Sequence, residues 1–397
     1  MNSTTAAIGR LRHLHSHLTK LRLCTLADGA HELLCEEING KGILTINRPH
    51  ALNSINENVT LRMYKQLKVW QQEKSVSLVI IKGAGGKAFS AGGDIKGLVS
   101  LVEDDSRTGG SSAFQFLKDE FRTQYTINTY NVPVISLADG YCMGGGCGTA
   151  VNSKYTITTE RTTMAMPETL SVSCNLGSGF IPDNGGSYFL SHLPGNMGMY
   201  LGLTGDQIKG EDIYNIGLST HHVTHKDGAL DRLESDLISL SQPTDDTVSE
   251  ILDLYHSKCY SGATSSLCSN IPTINRIFSK GRVEDIVREL RLEESDWAKH
   301  SLKLLLSNSP LALKLTHRLF RLTRRLNLYD SLSLELTVGG NMLALPTADF
   351  CKGVRALFVE KTGKPQWSPS NIKDVTEEEV SRYFTQSNHL NYEFLNQ

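Results

Sequence analysis

The sequence predicts an α/β fold built on largely parallel strands, followed by a helical part toward the C-terminus. Three observations carry that prediction. The uninterrupted apolar run at 78–81, and strand-like stretches of the same kind at 132–137 and 155–158, have the composition of strands buried on both faces. Segments with helical spacing lie between them, and such alternation calls for crossover connections and parallel strands. From about Asp206 onward the pattern becomes mostly helical.

Taken in order, the first 27 residues differ from the rest. No acidic residue precedes Asp28, while Arg10, Arg12, Lys20 and Arg22 supply four cations. Ile8, Leu11, Leu14, Leu18 and Leu21 recur at helical spacing, although Arg22 falls on the apolar arc. An acid-free, Arg-containing amphipathic leader has the composition of a mitochondrial transit peptide, so 1–27 is expected to address the chain to the matrix. The alternative is a basic tail with no address. Gly42 to Ile46 reads as a strand stopped by Asn47-Arg48-Pro49, and Glu57 to Gln71 as a helix with a charged face. Residues 28–235 are then expected to form the α/β core, with 236–397 packed on it as a helical region. Breaks are expected at 239–246, 260–269 and 361–369, where Ser, Gly, Asp and Pro collect. Leu313 to Leu326 reads as a helix whose core stripe is Leu311, Leu315, Leu319, Leu322 and Leu326. Its other face shows Arg318, Arg321 and Arg325, which either meet phosphates or stay solvated.

Composition excludes several classes of function. A chain of 397 residues buries enough core to need no disulfide or metal staples. With 40 basic and 42 acidic residues the net charge is −2; without the leader's four cations it is −6. Neither value suits nucleic acid or an anionic membrane surface as a partner. No stretch of 18 apolar residues occurs, so no transmembrane helix is expected. The eight cysteines are scattered without a C-x-x-C pair, as expected of reduced thiols rather than a disulfide framework or zinc site.

The chemistry is expected where glycines cluster. Three segments leave strand-like sequence through glycine: Ala88-Phe89-Ser90-Ala91-Gly92-Gly93-Asp94-Ile95, then Ala138 to Gly148 with its Gly144-Gly145-Gly146 run, then Met166-Pro167-Glu168-Thr169, continuing to Asp183-Asn184-Gly185-Gly186. Glycine lets a backbone N–H approach a ligand with no Cβ in the way. Two such amides from different loops can hold one developing oxyanion, each worth about 3–4 kcal/mol in a transition state. Each feature alone has a plainer reading: a flexible turn for the triple glycine, a first-turn acid for Glu168, an N-cap for Asp183.

Together these segments resemble the crotonase (enoyl-CoA hydratase/isomerase) superfamily, from about Leu33 to Phe384. Asn47-Arg48-Pro49, Ala51-Leu52-Asn53, Leu203-Thr204-Gly205 and Gly217 to His221 add to the resemblance. Gly353-Val354-Arg355-Ala356 and Pro365 to Pro369 resemble its thioester-hydrolase branch. The resemblance implies a crotonase-like core, a ββα superhelix of parallel strands, with a helical C-terminal part. It implies hydrolysis of 3-hydroxyisobutyryl-CoA, and of 3-hydroxypropionyl-CoA, to the free acid and CoA in valine breakdown. Gly93 and Gly145 match the oxyanion-hole positions. Hydratases carry a catalytic Glu where this chain has Gly148, Glu168 matches their second one, and Asp183 matches an aspartate of the hydrolase branch. Glu168 is then base or nucleophile, with Asp183 orienting water or serving the substrate hydroxyl or the leaving group. Ser90, Ala91 and Lys96 are expected to line the path of pantetheine and the adenosine phosphates. The partner implied is acyl-CoA, which supplies CoA as part of the substrate; no separate cofactor and no metal are expected. A homo-oligomer is implied unless the helical C-terminal part occupies the interface. Alternatives within the fold are a hydratase or isomerase, disfavoured by Gly148, and a non-catalytic mitochondrial ribosome component.

Two departures from the hydrolase pattern stand out. Gln124, in Phe121-Arg122-Thr123-Gln124-Tyr125, replaces a glutamate of the substrate pocket, keeping hydrogen bonding without charge. About seven extra residues lie between Thr169 and Phe180, between the two carboxylates of interest.

Overall fold

The computed structural model describes residues 31–168, 178–262, 266–345, 347–362 and 365–394. The leader and most of the extra segment, 169–177, lie outside the described residues.

Two sheets organise the chain. The larger joins β1 (Leu33–Ile38), β2 (Lys41–Ile46), β3 (Val79–Gly83), β5 (Val134–Ala138), β7 (Tyr155–Thr158) and β10 (His221–His222) in the order β1-β2-β3-β5-β7-β10. The smaller joins β4 (Ala88–Ser90), β6 (Tyr141–Met143), β8 (Thr163–Ala165) and β9 (Ile208–Lys209) in sequence order. From β2 to β10 the larger sheet is parallel, as the apolar runs predict. A strand of the larger sheet runs into one of the smaller three times over, β3 into β4, β5 into β6 and β7 into β8. This repetition is the turn of the ββα superhelix.

These apolar stretches have a direct physical cause. Side chains alternate across a strand, and here both faces are covered. Leu78 and Ile80 enter one apolar cluster, with Ile135, Leu137 and Ile157, whereas Val79 and Ile81 enter the other, larger one. The first is closed by Leu230, Leu233 and Leu237 of the helix Ala229–Ser239 and by Val248 and Leu252 of the helix Asp245–Cys259. The expected core limit at 235 thus falls inside a helix, and the next helix also covers the sheet.

Some elements were not read from the sequence. β1 and β2 form an antiparallel hairpin across Asn39-Gly40, both at positive φ, 52° and 71°. That is the backbone a two-residue type I′ turn requires, and Asn-Gly is its usual pair. The two- and three-residue strands carry too little sequence for a periodicity to show. In the helix Pro310–Thr323, Leu311, Leu315 and Leu319 are buried as expected, but Leu322 is 43% exposed. Phe320 and Thr323 of the same last turn are buried, so Leu322 lies on the outer face of the helix.

Candidate active site

β4, β6 and β8 run parallel and end side by side, so the loops leaving them gather at one edge. Ligands of open α/β sheets bind at such carboxyl ends.

In the first loop, nearly every amide is spent. Ala91 N–H donates to Leu52 O at 2.9 Å and Asp94 N–H to Ile55 O at 2.8 Å. Gly92 N–H donates to Ser90 Oγ at 3.1 Å. Only the Gly93 N–H is left without a partner among the described residues. Behind the loop, buried Arg48 pairs with Asp94 at 3.2 Å and with Glu32 at 3.0 Å. Asn53 Nδ2 donates to Ala84 O and Ala88 O. The Asn47-Arg48-Pro49 and Asn53 segments therefore shape this loop.

In the second loop, Gly144 takes a φ of 49° and its N–H donates to Ala165 O at 3.0 Å. Gly145 opens the helix Gly145–Val151, where the first amides have no carbonyl one turn back. A Cβ added to Gly145 would lie 3.5 Å from Gly93 N, so the two amides border one small space. Only glycine leaves that space open. Gly146 is needed for another reason: a Cβ there would come within 2.7 Å of Ser90 O.

Carboxylates close the site. Glu168 follows β8; its carbonyl accepts from Ser178 Oγ at 2.8 Å and Phe180 N–H at 3.2 Å. Its Oε1 lies 2.6 Å from where a Gly144 Cβ would sit. Its Oε2 is shielded from solvent and has no hydrogen-bond partner among the described residues. Asp183 is buried and precedes Asn184 and Gly185, at φ 55° and 85°. Burial pushes the Asp183 carboxyl up, opposed by the Asn184 amide and by its own backbone N–H. Burial pushes Glu168 well above the carboxylate range, and the Asp183 charge adds to the shift.

The position where hydratases carry their other glutamate is filled. A Cβ on Gly148 would meet Asn184 O at 2.6 Å and Asn184 Cβ at 2.7 Å. The residue after Asp183 thus stands where a side chain at 148 would begin.

Gln124 lies on the buried face of the helix Ser112–Asn128 and reaches the same group, its Nε2 donating to Thr149 Oγ1 at 3.2 Å and Asn184 Oδ1 at 3.4 Å. Ser90 is fully buried with its hydroxyl on Gly92, so it lies beneath the loop. Ala91 is partly exposed, and exposed Lys96 sits on the helix Ile95–Thr108 with Nζ 5.1 Å from the Phe358 ring centroid. Arg355 pairs with Glu103 of that helix at 2.6 Å, which brings the C-terminal region onto it. The structure does not bring Arg318, Arg321 and Arg325 to this place. Arg321 and Arg325 border a cleft of about 420 Å³ with Lys280 and His317, whose lining includes no residue of either glycine loop. Arg318 bonds Ser381 Oγ and lies over the Phe384 ring.

Three residues of the site escaped the sequence reading. Glu120 is buried one helical turn before Gln124, its Oε1 3.6 Å from where a Gly93 Cβ would sit. The Asn184 side chain accepts from Gln124 Nε2 at 3.4 Å and tempers the rise that burial causes in both Glu120 and Asp183. Glu335, on the helix Leu328–Met342, accepts Gly185 N–H at 2.9 Å and Ser187 N–H at 2.8 Å, and burial pushes it up to about 8. A signal existed for Glu120 and Glu335: each is an acid on the apolar face of a helix. For Asn184 none did.

The chain belongs to the enoyl-CoA hydratase/isomerase family, whose model matches residues 41–384. It is 36% identical to a Xenopus tropicalis protein named 3-hydroxyisobutyryl-CoA hydrolase, mitochondrial, over 95% of this chain and 94% of that one. The Homo sapiens protein of the same name is 35% identical, with 92% of each covered. Among solved structures, a carnitinyl-CoA dehydratase from Mycobacterium thermoresistibile superposes with a TM-score of 0.81 at 30% identity, covering 92% of this chain and 99% of that one. An enoyl-CoA hydratase from Rhodobacter sphaeroides gives 0.78 at 28% identity, with 89% and 97% covered.

Proposed function

We propose that this protein hydrolyses the thioester of 3-hydroxyisobutyryl-CoA, giving the free 3-hydroxy acid and CoA. One observation carries hydrolysis over hydration: Asn184 occupies the space a side chain at 148 would need, while Glu168 and Asp183 remain. The names of the relatives at 35–36% identity support the substrate, and their mitochondrial designation supports a mitochondrial protein. The acid-free leader supports entry into the matrix. A place in valine breakdown follows from that substrate.

The thioester oxygen takes the space between Gly93 N–H and Gly145 N–H, which stabilise the charge it gains. Glu168, with Oε2 unengaged, removes a proton from water as its oxygen bonds the carbonyl carbon. The C–S bond then breaks, and the CoA sulfur leaves with a proton supplied by the carboxyl pair. Glu168, having taken the proton from water, returns it to the departing sulfur. CoA enters as part of the substrate, with Ala91 and Lys96 beside its path, and the chemistry needs no further cofactor.

The test is free-thiol release from 3-hydroxyisobutyryl-CoA beside hydration of crotonyl-CoA. Thiol release without hydration is the expected result. Hydration alone would overturn the assignment, and neither activity would point to a non-catalytic role.

A further inference from the structure

Away from the glycine loops, the cleft of about 420 Å³ beside the helix Pro310–Thr323 has no part in the reaction described above. Lys280, Arg321, Arg324 and Arg325 line it, and among the described residues no carboxylate does. For a chain of net charge −2, that is a strong local excess of positive charge. Exposed cations on other helices find an acid within one turn, Arg288 with Asp285 at 2.7 Å and Arg382 with Glu378 at 2.6 Å. Arg324 and Arg325 do not. Both are exposed, and neither side chain has a hydrogen-bond or ionic partner among the described residues. Arg321 donates to Gly281 O at 3.2 Å, a neutral acceptor that orients the guanidinium without cancelling its charge. Lys280 stands 3.9 Å from Glu289, a carboxylate that also serves Arg276 and Arg288.

The cluster has a cost. Arg321, Arg324 and Arg325 follow i, i+3 and i+4 spacing at the end of the helix, where like charges repel. One cation there would serve the last carbonyl groups, and three exceed that need. The opposite wall has the same polarity. Gly195, Asn196 and Gly198 line it at the start of the helix Met197–Thr204, whose first turn holds no acid. Its cap residue, Asn196, makes no side-chain cap hydrogen bond. Half-buried Met199 and Leu322, 43% exposed, add an apolar edge. A concavity of this volume suits a small molecule, and guanidinium forks match phosphate oxygens two at a time. We propose that the cleft binds the polyphosphate group of a small molecule, a nucleoside triphosphate being the form that also uses the apolar edge. The inference stands apart from the thioester-hydrolase reading, because the cleft shares no residue with either glycine loop.

The experiment is calorimetric titration of the full-length protein with ATP, without divalent metal, and with inorganic tripolyphosphate as competitor. The wild type is expected to bind ATP, to lose it to tripolyphosphate, and to bind more weakly as salt rises. Replacing both arginines, Arg324→Ala with Arg325→Ala, is expected to weaken binding about tenfold or more, the scale of charge-assisted hydrogen bonds removed. Arg232→Ala, at an exposed arginine of the helix Ala229–Ser239, is expected to leave binding unchanged. Because Arg324 and Arg325 are exposed and unpartnered, the double variant is expected to melt with the wild type, and Arg325→Ala alone provides the same comparison if it does not. No binding of ATP, equal affinity in the double variant, or equal weakening by Arg232→Ala would overturn the site. Failure of tripolyphosphate to displace ATP would overturn polyphosphate as the group recognised. Displacement of ATP by free CoA, with a raised KM for the thioester in the double variant, would make the cleft the seat of the substrate's own nucleotide and overturn a separate site.

Discussion

Two pairs of buried carboxyls meet at the edge of the small sheet, and they reach it by different routes. Glu168 and Asp183 stand on loops beyond strand ends, whereas Glu120 and Glu335 stand on long helices packed against those loops. Burial raises all four above the usual carboxylate range. They differ in what their oxygens do. Both oxygens of Glu335 accept backbone N–H groups from the turn after Asp183, while Oε2 of Glu168 has no partner among the described residues. A saturated carboxylate fixes geometry; an unsaturated one has capacity for chemistry. On the proposed reaction the loops carry the reacting groups and the helices support them, so substitutions should separate along that line.

The sharpest break is Glu168→Gln, which keeps shape and removes the base. Thiol release is expected to fall about 10³-fold or more while binding of CoA thioesters, measured calorimetrically, is retained. An active Gln variant would remove Glu168 from the assignment. Next comes Gly145→Ala. Its methyl group would enter the space shared with Gly93 N, 3.3 Å from Asn184 Nδ2, and a kcat loss of about 10²-fold is expected. An unchanged kcat would place the oxyanion elsewhere.

Glu335→Ala tests the other side of the comparison. It strips two buried N–H groups of their acceptor and should lower unfolding free energy by about 2–4 kcal/mol in denaturant titrations. A variant as stable as the wild type would show that the turn holds itself. The smallest effect concerns pH. The folded-state pKa of Glu335 is raised from 4.5 to about 8, so its contribution is fully present below pH 4.5 and is lost as pH climbs through about 8. Wild-type stability is therefore expected to decline over that window, and Glu335→Gln to flatten part of the decline. Parallel pH profiles for the two proteins would contradict it.

How much of this was legible depended on the length of the signal. Strands β3, β5 and β7 showed because apolar runs buried on both faces leave a mark in composition. β4, β6 and β8, only three residues each, left none, although they position the site. Gly93, Gly145, Glu168 and Asp183 were readable as a set in chain order, and the fold does gather them. Glu120 was passed over because an acid within a charged-looking stretch of helix, between Asp119 and Arg122, reads as solvated until the packing shows which face is inside. For Arg318, Arg321 and Arg325 the sequence left phosphate contact and a solvated face both open, since spacing places side chains on a face without saying what that face meets.

By itself the sequence determined the parallel α/β architecture, the glycine loops and the identity of the loop carboxylates. These rest on short-range chemistry: alternation of side chains across a strand, and the absence of a Cβ where backbone must come close. Only the tertiary structure decided that Asn184 fills the room beside Gly148, that Glu335 secures the turn from 150 residues away, and that Glu120 faces inward. Those outcomes depend on which surfaces of distant segments come to share one volume, and no local pattern encodes that.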